Sequence, residues 1–198
     1  MLHPEEEPVL DSEWLFSFLQ KRRHVLQGVC ITGGEPAVHK DLIPFITEIR
    51  SLGYKVKLDT NGYHPEILKE LLEKKLINAA AMDIKSSPEH YAAAAGLPND
   101  TFDFSRIRES ASLLMEYGEM YTEFYYEFRT TMVRGLQTEE DMISIAAWLS
   151  GAKRYYLQQY EDSDHVIDRS MSAFSEEEMK EMEDLVRPYI SSIKIRGV

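Results

Sequence analysis

The chain has 198 residues, 43% of them hydrophobic and 28% charged, a balance that suits a globular protein with one full-sized core. Its net charge of −12 opposes general nucleic-acid binding, because phosphate backbones attract basic surfaces and the Arg22-Arg23 and Lys74-Lys75 pairs are too small to reverse the balance. A single cysteine, Cys30, excludes an intrachain disulfide and a multi-cysteine metal site.

No apolar run approaches the roughly 20 residues that cross a bilayer, and the acidic start at 1–7 lacks a signal-peptide core. A cytoplasmic protein without membrane or nucleic-acid partners is expected. Along the chain, strand-like runs alternate with helical patterns. Asp11 or Ser12 can cap a helix carrying Trp14, Leu15, Phe18 and Leu19 on one face. The apolar run 28–32 reads as a buried strand and ends in Gly33-Gly34-Glu35-Pro36. Leu42, Phe45, Ile46 and Ile49 then mark a second helix by their spacing. A strand at 56–58 runs into Asp59-Thr60-Asn61-Gly62, and Pro65 suits the first turn of a helix containing Leu68, Leu71 and Leu72.

The run 79–84 is a third strand, closing on Asp83-Ile84-Lys85, and 92–96 with Pro98-Asn99-Asp100 reads as a loop. A helix around Ile107, Ala111 and Leu114 leads to a strand at about 122–133. Thr138 opens a Thr-x-x-Asp cap before Met142, Ile145, Ala146 and Leu149. After a strand at 154–159, Ser175 and Glu178 form a capping box for a helix with Met179, Met182, Leu185 and Val186; a short strand at 193–195 follows. This alternation implies βαβ units, a parallel sheet and right-handed crossovers in one α/β domain without repeats or linkers. Ligands collect at the carboxyl ends of such strands, and all three polar motifs fall there, so they are predicted to share one site.

Gly33-Gly34-Glu35-Pro36 is not a phosphate loop, since neither Gly-Lys-Ser/Thr nor Gly-x-Gly-x-x-Gly is present. Two glycines let the backbone turn tightly and bare its carbonyls beside Glu35, which suits an ammonium group; a plain tight turn with Glu35 near a helix start is the equal alternative. Asp59 and the Thr60 hydroxyl offer oxygens to a hard cation or to ligand hydroxyls, or else Asp59-Thr60-Asn61-Gly62 is simply an Asx turn. Asp83 and Lys85 project from one strand face, where a simple ion pair is the blander reading. Arg129 either points inward, towards a carboxylate or a peptide carbonyl, or outward. His39, His64, His90 and His165 are scattered and read as surface or loop residues. Tyr121, Tyr125, Tyr126, Tyr155 and Tyr156 read as core and barrel packing, and no Ser-His-Asp or Cys-His grouping is recognisable.

Taken together, Ile31-Thr32-Gly33-Gly34-Glu35-Pro36, Leu58-Asp59-Thr60-Asn61-Gly62 and Met82-Asp83-Ile84-Lys85 resemble, in order and spacing, the radical SAM superfamily over about residues 10–160. The likeness is to its activating enzymes, those of anaerobic ribonucleotide reductase and pyruvate formate-lyase. It implies a partial (β/α)6 barrel that holds S-adenosylmethionine against a [4Fe–4S] cluster. Reductive cleavage there yields a 5′-deoxyadenosyl radical, which abstracts hydrogen from a glycine of a partner glycyl radical enzyme. The resemblance implies that Gly33, Gly34 and Glu35 meet the methionine amino group, with Pro36 shaping the turn. It implies that Asp59 and Thr60 lie near the methionine carboxylate with Asn61 beside them in the cofactor site, and that Asp83 and Lys85 contact the ribose and carboxylate end. Arg129 matches an arginine near the partner's glycine-bearing loop.

The family's Cys-x3-Cys-x2-Cys loop, which follows its first strand, has no counterpart here. Cys30 lies in the second family strand and reads as a small buried thiol, and one thiolate does not hold the cluster. The helix near 12–22 matches the segment downstream of that loop, so residues 1–198 are expected to be a single truncated barrel domain missing its first strand and cluster loop. Arg134 and Gln159 stand where activases commonly carry proline, which leaves the partner open. The readings are a cluster-less activase fragment inactive alone, a degenerate non-catalytic binding or interaction module, or a radical SAM enzyme of another reaction class. Intact motifs favour the first.

Overall fold

The computed structural model describes residues 11–98, 100–161 and 171–197. Its elements are α1 Ser12–Arg22, β1 Gly28–Ile31, α2 Leu42–Ser51, β2 Lys55–Thr60, α3 Pro65–Glu73, β3 Ala79–Asp83, α4 Tyr91–Ala94, α5 Phe104–Met120, β4 Tyr125–Arg134, α6 Glu139–Trp148, β5 Tyr155–Gln159, β6 Ser172–Ala173, α7 Glu176–Val186 and β7 Ile193–Arg196. Side chains close the starts of α1, α5, α6 and α7. Asp11 accepts from the Glu13 amide at 3.2 Å, and reciprocal capping boxes, Thr138 with Asp141 and Ser175 with Glu178, open α6 and α7.

Strands β1, β2, β3, β4, β5 and β7 lie side by side in that order, all parallel. Each strand sits beside its predecessor, so right-handed crossovers return every helix to the same side and the sheet curls around the other. The strand order never reverses, so there is no doubly wound crevice. The first and last strands do not pair with each other among the described residues, which makes this an open, partial barrel.

Side chains alternate between the two faces. Val56, Leu58, Ala80, Met82, Phe128 and Leu157 turn to the helices and are almost wholly buried with Ile46, Leu71, Leu114 and Ile145. By the same period, Cys30, Lys57, Asp59, Asp83, Glu127, Arg129, Tyr156 and Arg196 line the concave face. A chemically mixed concave face is the first structural sign of a ligand site, because a closed barrel would fill it with apolar side chains.

Several element limits differ from the sequence expectation. Strand β1 stops at Ile31 and alternates exposed and half-buried instead of being a buried run to 32, because it pairs on one side only. Strand β2 extends to Lys55–Thr60 because its charged residues alternate cleanly with buried ones. Strand β4 begins at Tyr125 and not near 122. The expected loop at 92–96 overlaps a helical turn, Tyr91–Ala94. Strand β6 pairs antiparallel with Val133 and Arg134; two residues carry no readable period. No helix among the described residues is long and apolar enough to cross a membrane.

Candidate functional site

At the end of β1 the backbone turns through Gly33 and Gly34, both with positive φ (95° and 54°), a conformation that side chains with a Cβ resist. Pro36, buried, then opens a 3₁₀ turn, Pro36–Val38, which the Glu35 carboxylate caps by accepting from the Ala37 amide at 3.1 Å. The same carboxylate crosses to β2, accepting from Thr60 Oγ1 at 2.8 Å and from the Asn61 amide at 2.5 Å. Glu35 thus staples two strand ends together. The local turns foreseen as alternatives are also present, since Thr60 Oγ1 accepts from the Gly62 amide and Asn61 Oδ1 from the Tyr63 amide. Thr60 therefore points away from Asp59, its neighbour on the other face.

Asp59 faces inward. Lys57 Nζ donates to its Oδ1 at 2.5 Å, and Arg129 Nη1 donates to its Oδ2 at 3.0 Å. Because Asp83 and Arg129 are register partners on β3 and β4, the same guanidinium reaches Asp83 Oδ1 from Nε at 3.1 Å. Lys85 Nζ lies 3.4 Å from Asp83 Oδ2, so the simple ion pair exists, within a larger network. Arg129, whose orientation the sequence leaves open, points inward and its side chain is only 15% exposed. Burial pushes the Asp59 carboxyl upward, but the Lys57 hydrogen bond and the Arg129 charge outweigh it and hold the group below its usual range.

One layer deeper, Arg196 from the last strand grips Glu127 with two hydrogen bonds of 3.0 and 2.9 Å, Tyr125 donates to the same carboxylate at 2.7 Å, and the Arg196 guanidinium lies 3.3 Å over the Tyr156 ring. Sequence reasoning missed Lys57, Glu127 and Arg196. The alternation Tyr125-x-Glu127-x-Arg129 was the available signal, since it puts three polar groups on one strand face. Tyr126 and Tyr155 are core residues as expected, whereas Tyr125 and Tyr156 belong to this polar layer. Cys30 is exposed, not buried, because β1 leaves its concave side uncovered; its thiol sits 3.7 Å from Asp59 Oδ1, and partial burial together with that carboxylate pushes its pKa up. His39 is exposed, His64 pairs with Glu66 and His90 with Asp141; His165 lies outside the described residues.

A cavity of about 330 Å³ opens beside this network, with Asp83, Lys85 and Arg129 on one side and Ala94, Leu136 and Gln137 on another. Its volume is that of a small-molecule site. Among the described residues, no three or more His, Cys, Asp or Glu side chains are grouped to hold a metal ion.

The radical SAM superfamily model matches residues 17–149. A Methanocaldococcus jannaschii protein named as a glycyl-radical enzyme activating enzyme is 29% identical over 197 residues, which cover 98% of this chain and 76% of that one. A Pyrobaculum aerophilum protein named as a GTP 3′,8-cyclase is 28% identical over 130 residues, covering 63% of this chain and 40% of its own length. Among solved structures, a domain of a pyruvate-formate lyase-activating enzyme from Bacteroides vulgatus superposes with a TM-score of 0.64 at 22% identity, covering 86% of this chain and 99% of that one. Streptococcus suis SuiB bound to S-adenosylmethionine gives 0.65 at 16% identity over 93% of this chain and 41% of its own. At such identities the structural likeness concerns the fold.

Proposed function

The chain belongs to the radical SAM superfamily, and on that premise we propose that it is the S-adenosylmethionine-binding body of an activating enzyme for a glycyl radical partner. One observation carries this reading: two hydrogen-bonded sets, Glu35 with Thr60 and the Asn61 amide, and Asp59 joined through Arg129 to Asp83 and Lys85, lie at the carboxyl ends of four neighbouring strands. The carbonyls of Gly33 and Gly34, with Glu35, take the methionine ammonium, and Pro36 fixes their turn. Asp59, Thr60 and Asn61 frame the methionine end. Asp83 and Lys85 take the ribose hydroxyls and the carboxylate end, and Arg129 orients both acids while facing the partner's glycine-bearing loop.

Radical SAM proteins draw a 5′-deoxyadenosyl radical from this nucleoside with an electron from a [4Fe–4S] cluster. Such clusters are held by several thiolates, and this sequence contains one cysteine. The residues present do not fit the cluster, so no cleavage step is assigned to them; their part is to bind and orient the sulfonium nucleoside. The relative named as a glycyl-radical enzyme activating enzyme supports the partner class. The relative named as a GTP 3′,8-cyclase supports a second reading, a radical SAM protein of another reaction class. We assign the protein and its partner to the cytoplasm.

Isothermal titration of S-adenosylmethionine into the chain is expected to give a Kd in about the millimolar range or tighter. Lys85→Ala, which removes a half-exposed ligand-side charge, is expected to weaken it about tenfold. A folded chain that takes up no ligand at millimolar concentration, or one whose affinity ignores Lys85, removes the reading.

A further inference from the structure

Residues 86–96 leave the end of β3, pass Ser87 and His90, form α4 and lay Ala94 and Ala95 along the cavity beside Asp83, Lys85 and Arg129. The facing wall, Leu136 and Gln137, leads into α6. One bond fixes the residue before this strap to that wall, and a second set ties the strap itself to α6. Gln137 Nε2 donates to the Lys85 carbonyl at 2.7 Å, and its Oε1 accepts from the Val133 amide at 2.9 Å. Asp141, in the first turn of α6 and 3% exposed, gathers four donors: Ser87 Oγ, His90 Nδ1 at 2.7 Å, the Thr138 amide at 3.0 Å and Thr138 Oγ1 at 2.9 Å.

Three of those donors never change charge. The fourth does: the His90 side chain is 65% exposed, so its ring exchanges protons freely with water, and it immediately precedes α4. We propose that His90 and Asp141 form a proton-operated latch, in which protonated His90 tightens the 86–96 strap against α6 at that cavity wall, and loss of the proton loosens it.

The charged groups acting on His90 are Asp141, on α6, and Glu89, on the strap itself; both are acidic and both favour the imidazolium. A neutral imidazole still donates one hydrogen bond, but without the charge assistance that strengthens a bond to a buried carboxylate. Strap movement is passed to the network because Tyr91 Oη donates to the Asp83 carbonyl at 3.1 Å. The Asp141 hydrogen bond and charge raise the His90 pKa above its ordinary 6.5. The latch is therefore at full strength below about pH 6.5 and weakens as pH climbs through the folded-state value above it.

The latch needs no ligand, so it is tested on the free chain and stands apart from the binding proposal. Amide hydrogen exchange of residues 86–96 is followed from about pH 6 to about pH 8.5 in the wild type and in His90→Gln, with each rate corrected for intrinsic base catalysis. In the wild type, protection is expected to fall about threefold or more, with its midpoint at the His90 titration point measured by NMR on the same sample. In His90→Gln it is expected to be low and flat, while α6 keeps wild-type protection. An unchanged profile in His90→Gln, or a His90 pKa at or below 6.5, overturns the latch.

Discussion

Arg129 is the residue on which the candidate site turns, because one guanidinium neutralises two carboxylates on different strands. Removing it leaves Asp59 and Asp83 facing a half-desolvated gap. Breaking a fully buried pair costs roughly 3–5 kcal/mol, and solvent access at Asp83 lowers the figure, so Arg129→Ala is expected to lose about 2 kcal/mol in urea unfolding. Arg129→Lys is expected to recover less than half of that, since a single ammonium lacks the fork that reaches both acids. Asp59 gives this region a pH signature. Its folded pKa lies below its ordinary 3.8, so its contribution is complete above about pH 4 and is lost as pH falls through the lower folded value. Glu127, held down by Arg196 and Tyr125 against the upward push of burial, adds to the same acid limb. The thermal midpoint is expected to fall steeply below pH 4, and less steeply in Arg129→Gln; an identical slope in that variant rules out the Asp59 linkage.

At the scale of elements, the strand ends are set by backbone needs that the sequence displays directly. Gly62 has φ of 78°, and a Cβ placed there would lie 2.2 Å from Met82 Cε on the neighbouring strand. Gly62→Ala is therefore expected to cost about 2–3 kcal/mol, combining backbone strain with overpacking against a fully buried side chain. The two parts separate in a double-mutant cycle. In a Met82→Ala background the methionine is gone and only the φ cost of about 1 kcal/mol is expected to remain. Equal costs in both backgrounds discard the contact. Helix starts were legible for the same local reason: Thr138 with Asp141 and Ser175 with Glu178 announce their capping boxes within four residues. What stayed hidden was non-local. Cys30 reads as buried from its apolar neighbours, but exposure depends on what lies beside β1, and the two-residue β6 exists only because β4 is there to pair with it.

The whole molecule sets which side chains meet. Period two puts Glu127 and Arg129 on one face, but only the strand order brings Arg196, some 70 residues on in sequence, across β5 to Glu127. The three polar motifs were readable as one rim because a parallel sheet sends its carboxyl ends to one side; the Arg129 bridge between Asp59 and Asp83, which joins the second motif to the third, was not, since it depends on register. On the proposed reading the rim grips a nucleoside, yet cluster chemistry asks for thiolates, and the chain offers one cysteine, Cys30, whose partial burial and Asp59 neighbour, 3.7 Å away, push its pKa up. Anaerobic treatment with iron and sulfide, followed by desalting, is therefore expected to leave far less than a full four-iron complement per chain, with no charge-transfer absorbance. Dithionite and S-adenosylmethionine are then expected to give no 5′-deoxyadenosine, and Cys30→Ala should alter neither result. Retention of four irons per chain, lost in Cys30→Ala, would mean that this thiolate recruits ligands beyond those its own fold supplies.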